Sequence, residues 1–187
     1  MLICAGNNEN FTFAEPIGVG LIDSCINLTR IMLFNKPEFL LFIGTAGSYG
    51  EHKPFDILES RSAVNIESSF LENKAYTPID NAIKLENKLC EDMVGVNSSN
   101  YICTSMNLAK QYISYEQGIE NMEFYSILKV AKEFEVRAGG IFIITNYTNE
   151  NAHSDFIKNH TKAKSLLSSY LLEKKIITEI VSRGTRS

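Results

Sequence analysis

Four short stretches of this chain hold side chains that could act on a small polar ligand. Asn7, Asn8 and Glu9 come after an apolar run at residues 1–5. Gly44, Thr45, Ala46 and Gly47 follow FLLFI at residues 39–43. Glycines let a backbone approach a ligand closely, Thr45 adds a hydroxyl, and the successive amides of such a turn form a concavity suited to an anion. A glycine turn of this kind can also serve only to reverse the chain. Asn121, Met122 and Glu123 open an amphipathic stretch, where a carboxylate either accepts two hydrogen bonds from a vicinal diol or complements a helix dipole. Thr145 and Asn146 end the run GGIFII, and a carboxamide there either faces a heterocycle as donor and acceptor or acts as a turn residue. Glu9 and His153 lie in polar surroundings, where solvation is the ordinary expectation.

The elements that must position these residues follow from periodicity. Residues 1–5 read as a strand stopped by Gly6-Asn7-Asn8. Apolar residues recur at helical spacing over 17–34, and Asn35-Lys36-Pro37 ends the pattern. Residues 39–43 form a strand hydrophobic on both faces, as a parallel sheet covered by helices requires. One or two strands are expected over 56–66, a helix over 78–93, a strand over 95–104, and then a polar stretch containing Asn107. A helix over 122–134, a strand over 138–145 and a helix over 155–180 complete the chain. The expectation is one three-layer α/β/α domain over residues 1–181, with a central mixed, mostly parallel sheet, and a disordered or appended tail at 182–187. In such a sheet, ligands bind beyond the carboxyl ends of the strands, and the four stretches fall at such ends.

Bulk properties narrow the function. A chain of 187 residues with 44% hydrophobic content can bury a substantial core. Its net charge of −4 comes from intermixed acids and bases, without the basic stripe that nucleic acid demands. Cys4, Cys25, Cys90 and Cys103 lie far apart, show no metal-ligand spacing, and read as small apolar packing residues. No stretch reaches the roughly 20 apolar residues of a membrane span, and no signal peptide is evident, so a cytoplasmic location is expected.

In this order, IGVG at 17–20, FIGTAGSYG at 42–50, NMEFYSILKVAKEFEV at 121–136 and FIITN at 142–146 resemble the nucleoside phosphorylase and nucleosidase superfamily. That superfamily includes purine nucleoside phosphorylases and methylthioadenosine/S-adenosylhomocysteine nucleosidases, and the resemblance runs through most of the chain. It implies that Thr45 and its neighbours Gly44, Ala46 and Gly47 face the nucleophile and ribose. Met122, beside Asn121, would pack on the sugar, Glu123 would hold the ribose hydroxyls, and Asn146, beside Thr145, would face the purine. Leu108 falls where relatives often place an aromatic residue that stacks on the base.

The resemblance thus implies cleavage of the bond between sugar and purine with inorganic phosphate as co-substrate, no other cofactor or metal, and a homodimer. Glu9, Glu123 and Asn146 are the expected catalytic residues. Two alternatives stay open. One is a hydrolytic nucleosidase, in which Glu9 activates water; the other is a catalytically silent nucleoside-binding homologue. Three departures from the family's pattern bear on the choice. Asn146 stands where many relatives have aspartate, and it leans toward 6-oxopurines. Phe42 stands where hexameric phosphorylases carry arginine, and the region before IGVG is short.

Overall fold

The computed structural model describes residues 1–86 and 88–178, so the tail expected at 182–187 lies outside the described residues. Two long strands form the centre. Strand β1 (Leu2–Cys4) and the short β2 (Glu15–Pro16) precede helix α1 (Gly20–Phe34) and strand β3 (Phe39–Ser48). Strands β4 (Ile57–Ser60) and β5 (Ser62–Val64), helix α2 (Ser68–Leu71), and strands β6 (Ala82–Lys84) and β7 (Gly95–Asn97) follow. Helix α3 (Met106–Ser114), strand β8 (Gln117–Glu120), helix α4 (Phe124–Glu133), strand β9 (Arg137–Tyr147) and helix α5 (Ala152–Glu173) complete the order.

Strand β3 pairs in parallel with β1 along its first half and antiparallel with β8 at its end, while β9 runs parallel along its other edge. The sheet is mixed and mostly parallel, as expected. Its two faces separate by residue parity, the period of an extended chain. Leu40 and Phe42 of β3, with Ala138, Phe142 and Ile144 of β9, pack against Leu28 and Met32 of α1 and Ile127 and Leu128 of α4. Leu41 and Ile43, with Ile141 and Ile143, meet Ala163, Leu167 and Leu171 of α5 on the opposite face. Burying apolar side chains at about 25 cal/mol per Å² on both faces accounts for the continuous apolar runs of β3 and β9.

Three expectations need correction. The stretch 44–48 is not a turn: β3 continues through it, paired with β9 as far as Ser48↔Tyr147 and shifted in register between Ala46 and Gly47. Neither Gly44 nor Gly47 has a positive φ. A Cβ at Gly44 would collide with the Phe42 ring at 2.8 Å, and one at Gly47 would crowd Glu120 Cγ and Asn146 Nδ2 at 3.2 Å each. The helix expected over 78–93 is replaced by the three-residue β6, whose Ile83 enters the core while Ile79 and Met93 stay exposed. The main-chain bond from Asn65 N–H to Asn81 C=O extends that strand pairing, and tertiary contact overrides the local apolar spacing. The strand expected over 95–104 stops at Asn97, and the polar stretch around Asn107 is helix α3, with the Ser105 side chain accepting from Leu108 N–H. Among the described residues, no helix is long and apolar enough to cross a membrane.

Candidate active site

A cavity of about 320 Å³ opens at the carboxyl ends of β1, β3, β8 and β9, within the range of small-ligand sites. Its wall includes Glu9, Thr45, Ala46, Gly47, Asn121, Met122, Glu123, Thr145 and Asn146, so residues up to 137 positions apart in sequence meet around one space. Gly44 lies behind the wall, and Leu108 lies away from it. Leu108 packs from α3 against the cluster of Tyr49, Ile66, Leu71, Ala109 and Tyr112.

Glu9 is not a solvated loop acid. Its carboxylate accepts hydrogen bonds from the Thr45 hydroxyl and from Thr45 N–H, the latter at 3.2 Å. A Cβ at Gly44 would stand 3.0 Å from Glu9 Oε2, so glycine there makes room for the acid. The amide expected to cradle an anion thus already holds one of the protein's own carboxylates. Burial pushes the Glu9 pKa up, and the two Thr45 bonds partly oppose it.

Glu123 is buried at the start of α4, but its Oε1 caps the other helix, accepting from Gly20 N–H at 2.8 Å where α1 begins. Burial, then the charge of Glu9, pushes its pKa up to about 8. Burial, with the charge of Glu9 adding to it, thus keeps a proton on Glu123 into the neutral range. Asn121 braces this corner. Its carbonyl oxygen accepts from Glu123 N–H and Phe124 N–H, both at 3.0 Å, and its amide donates to Thr45 C=O at 3.2 Å. Its side chain is therefore committed to holding Met122 and Glu123 in place.

Asn146 is buried on β9. Its Oδ1 accepts from the Thr145 hydroxyl at 2.8 Å and its Nδ2 donates to Tyr147 C=O at 3.1 Å, which fixes the plane of the amide. The Thr145 carbonyl is in turn held by Asn159 Nδ2 at 2.7 Å. Each group at the Asn146 amide keeps one free hydrogen-bonding position.

Several cavity residues were not singled out from the sequence. Glu120 ends β8 directly across the ladder from Gly47, and burial pushes its pKa up to about 8. Tyr101 and Ile102, on the loop after β7, and Phe156 of α5 supply apolar and aromatic surface. Tyr101 and Ile102 follow the carboxyl end of a parallel strand, the one signal that could have found them. His153 lies on the rim, exposed. Among the described residues, no lysine or arginine lines the cavity. Arg137 stands at the opposite, amino end of β9, and Arg61 pairs with Glu86 at 3.5 Å.

The fold and cavity define an α/β protein with a pocket of small-ligand size beyond its strand ends. A sequence profile described as "Phosphorylase superfamily" matches residues 2–174, and the chain belongs to that superfamily. No curated protein sequence matches it. The fold is shared with Helicobacter pylori 5'-methylthioadenosine/S-adenosyl homocysteine nucleosidase, at a TM-score of 0.74 and 18% identity over 87% of this chain and 78% of that one. It is shared with Helicobacter pylori futalosine hydrolase at 0.70 and 19% identity, over 86% and 78% of the two chains. Streptococcus pneumoniae 5'-methylthioadenosine/S-adenosylhomocysteine nucleosidase superposes at 0.71 and 12% identity, over 91% and 95%.

Proposed function

We propose that this protein is a hydrolytic nucleosidase that cleaves the N-glycosidic bond of a purine nucleoside with water. The carrying observation is Glu9, a carboxylate fixed by both donors of Thr45 on the cavity wall near Glu123, in a lining without lysine or arginine among the described residues. Phosphorolysis, the main expectation from sequence, asks the site to hold a multiply charged anion beside three glutamates. Water asks only for a base. The nucleosidase and hydrolase activities named for the structural neighbours support the same direction.

In this reading, Glu9 accepts a proton from water as its oxygen attacks the anomeric carbon. Glu123 and Met122 hold the ribose, and the bond from sugar to base breaks with its electron pair leaving on the purine. Asn146 offers an N–H to the departing base without surrendering a proton, so the base gains its proton from solvent. The products are free sugar and free purine.

Product analysis tests this. Incubation with inosine, guanosine, adenosine and 5'-methylthioadenosine, with and without phosphate, is expected to release free sugar at a rate independent of phosphate. Formation of a sugar 1-phosphate that requires phosphate would overturn the hydrolytic reading.

A further inference from the structure

Helix α5 carries Phe156, His160 and Lys164 along one stripe, each four residues from the next. Phe156 belongs to the cavity wall, and the His160 ring lies 5.1 Å from it, centre to centre. Lys164, one turn further on, lies outside the cavity lining and reaches the loop that carries Glu9. Its Nζ donates to the Asn8 carbonyl at 3.2 Å and stands 5.2 Å from the centre of the Phe11 ring. One ammonium therefore meets the chain on both sides of Glu9. His160 also faces the Asn8 backbone, so α5 grips that peptide twice.

The turn before Glu9 is sharp. Gly6 and Asn7 have φ of 91° and 52°, and Glu9 N–H closes on Gly6 C=O at 2.9 Å. Glycine adopts that region freely and asparagine tolerates it, so the turn sets the direction of the chain at little cost. It does not set how the loop lies on the sheet. Phe11, buried with Cys4, Leu41, Ala163 and Leu167, anchors the far side, and Thr45 holds only the carboxylate. We propose that Lys164 is a positioning residue for the nucleosidase reaction: by holding the Asn8 carbonyl and the Phe11 ring, it sets the loop from which Glu9 meets the attacking water. The proposal rests on the nucleosidase reading of the cavity and adds to it a residue that touches neither water nor nucleoside.

The charge of Lys164 separates this role from simple packing. Burial pushes the Glu9 pKa up, and the two Thr45 bonds and then, more weakly, the Lys164 charge oppose it. The other titratable groups around Glu9 are Glu123 at the start of α4, Cys4 of β1 and, beside Lys164, His160 of α5. Burial raises the first two and lowers the third, so near pH 7 all three are mainly neutral and Lys164 is the charged neighbour. Without that ammonium, Glu9 takes up its proton at higher pH, and the acidic limb of kcat moves upward.

Lys164 is half-buried and outside the apolar core, so substitutions there are expected to fold. Lys164→Met keeps the apolar stem and removes the ammonium, while Lys164→Arg keeps a cation of similar reach. Steady-state kinetics of wild type and both variants with inosine, adenosine and 5'-methylthioadenosine, from about pH 5 to 9, test the proposal. Lys164→Met is expected to lose about tenfold in kcat, with KM changed less than about twofold and the acidic limb displaced to higher pH. Lys164→Arg is expected to recover most of the loss and the wild-type limb. Full kcat in Lys164→Met, a limb that stays in place, or an equal loss in Lys164→Arg overturns the assignment. NMR titration of the Glu9 carboxyl in the ligand-free protein gives a reading without turnover: it is expected to move upward in Lys164→Met, and an unmoved titration overturns the role of Lys164. Absence of cleavage by wild type overturns the nucleosidase reading itself, whereas cleavage with an unmoved Glu9 titration removes only Lys164.

Discussion

The two ends of the cavity hold buried acids in opposite arrangements. At one end Glu123 sits near a second carboxylate, Glu9, whose charge adds to burial in raising its pKa to about 8. At the other end burial alone raises Glu120 to about 8, and donors from Cys103 and Tyr49 surround it. The same perturbed acidity thus arises from a coupled pair in one place and from an isolated group in the other. A coupled pair divides two tasks, because one acid ionises while its partner keeps a proton. An isolated acid among donors is suited to recognition.

Breaking the coupled end has the largest expected effect. Glu9→Gln removes the base and lowers kcat for nucleoside cleavage by about 10²- to 10⁴-fold, the usual contribution of a general base, as steady-state kinetics would show. The same variant removes the charge that raises Glu123, so the pKa of Glu123 falls; carboxyl titration by NMR measures this, and an unchanged value denies the coupling. Glu123→Gln is expected to weaken nucleoside binding by about 3- to 10-fold, the worth of one hydrogen bond between uncharged groups, while free purine binds as before. Equal losses for nucleoside and base would place Glu123 away from the sugar.

Gly47→Ala sharpens the other end. Its methyl group would stand 3.2 Å from Glu120 Cγ and from Asn146 Nδ2, so both side chains must shift, and purine binding weakens by up to about tenfold, read by titration. The smallest effect is on stability. Between the ordinary value of 4.5 and about 8, the unfolded chain has released the protons that folded Glu120 and Glu123 retain. Raising the pH therefore favours unfolding throughout that window, and stability is highest below it. Thermal melts are expected to fall by several degrees from pH 5 to pH 8, with part of that fall absent in Glu120→Gln.

What could be read from sequence tracks how local the cause was. Strands β1, β3 and β9 and helices α1, α4 and α5 were legible because continuous apolar runs and helical spacing are properties of a segment by itself. The convergence of Thr45, Glu123 and Asn146 was legible because strand ends in such a sheet face one side. Residues 78–114 were not, because β6 exists only through its partner β5, and α3, at 9 residues, is too short for helical spacing to stand out. The GTAGS segment misled through its glycines, which make room for the close approach of Phe42, Glu9, Glu120 and Asn146 instead of turning the chain. Glu9 was undervalued because its holder, Thr45, lies 36 positions away.

The hydrogen bond between Gly20 N–H and Glu123 Oε1 joins positions 103 apart in the chain. Closing so large a loop costs entropy, which the packing of α1 and α4 side by side on one face of the sheet offsets. A growing polypeptide leaves the first amide of α1 without this partner until its later half has emerged. One carboxyl thus serves both the cavity wall and the start of α1, so the pocket and the junction of two helices are secured by a single contact.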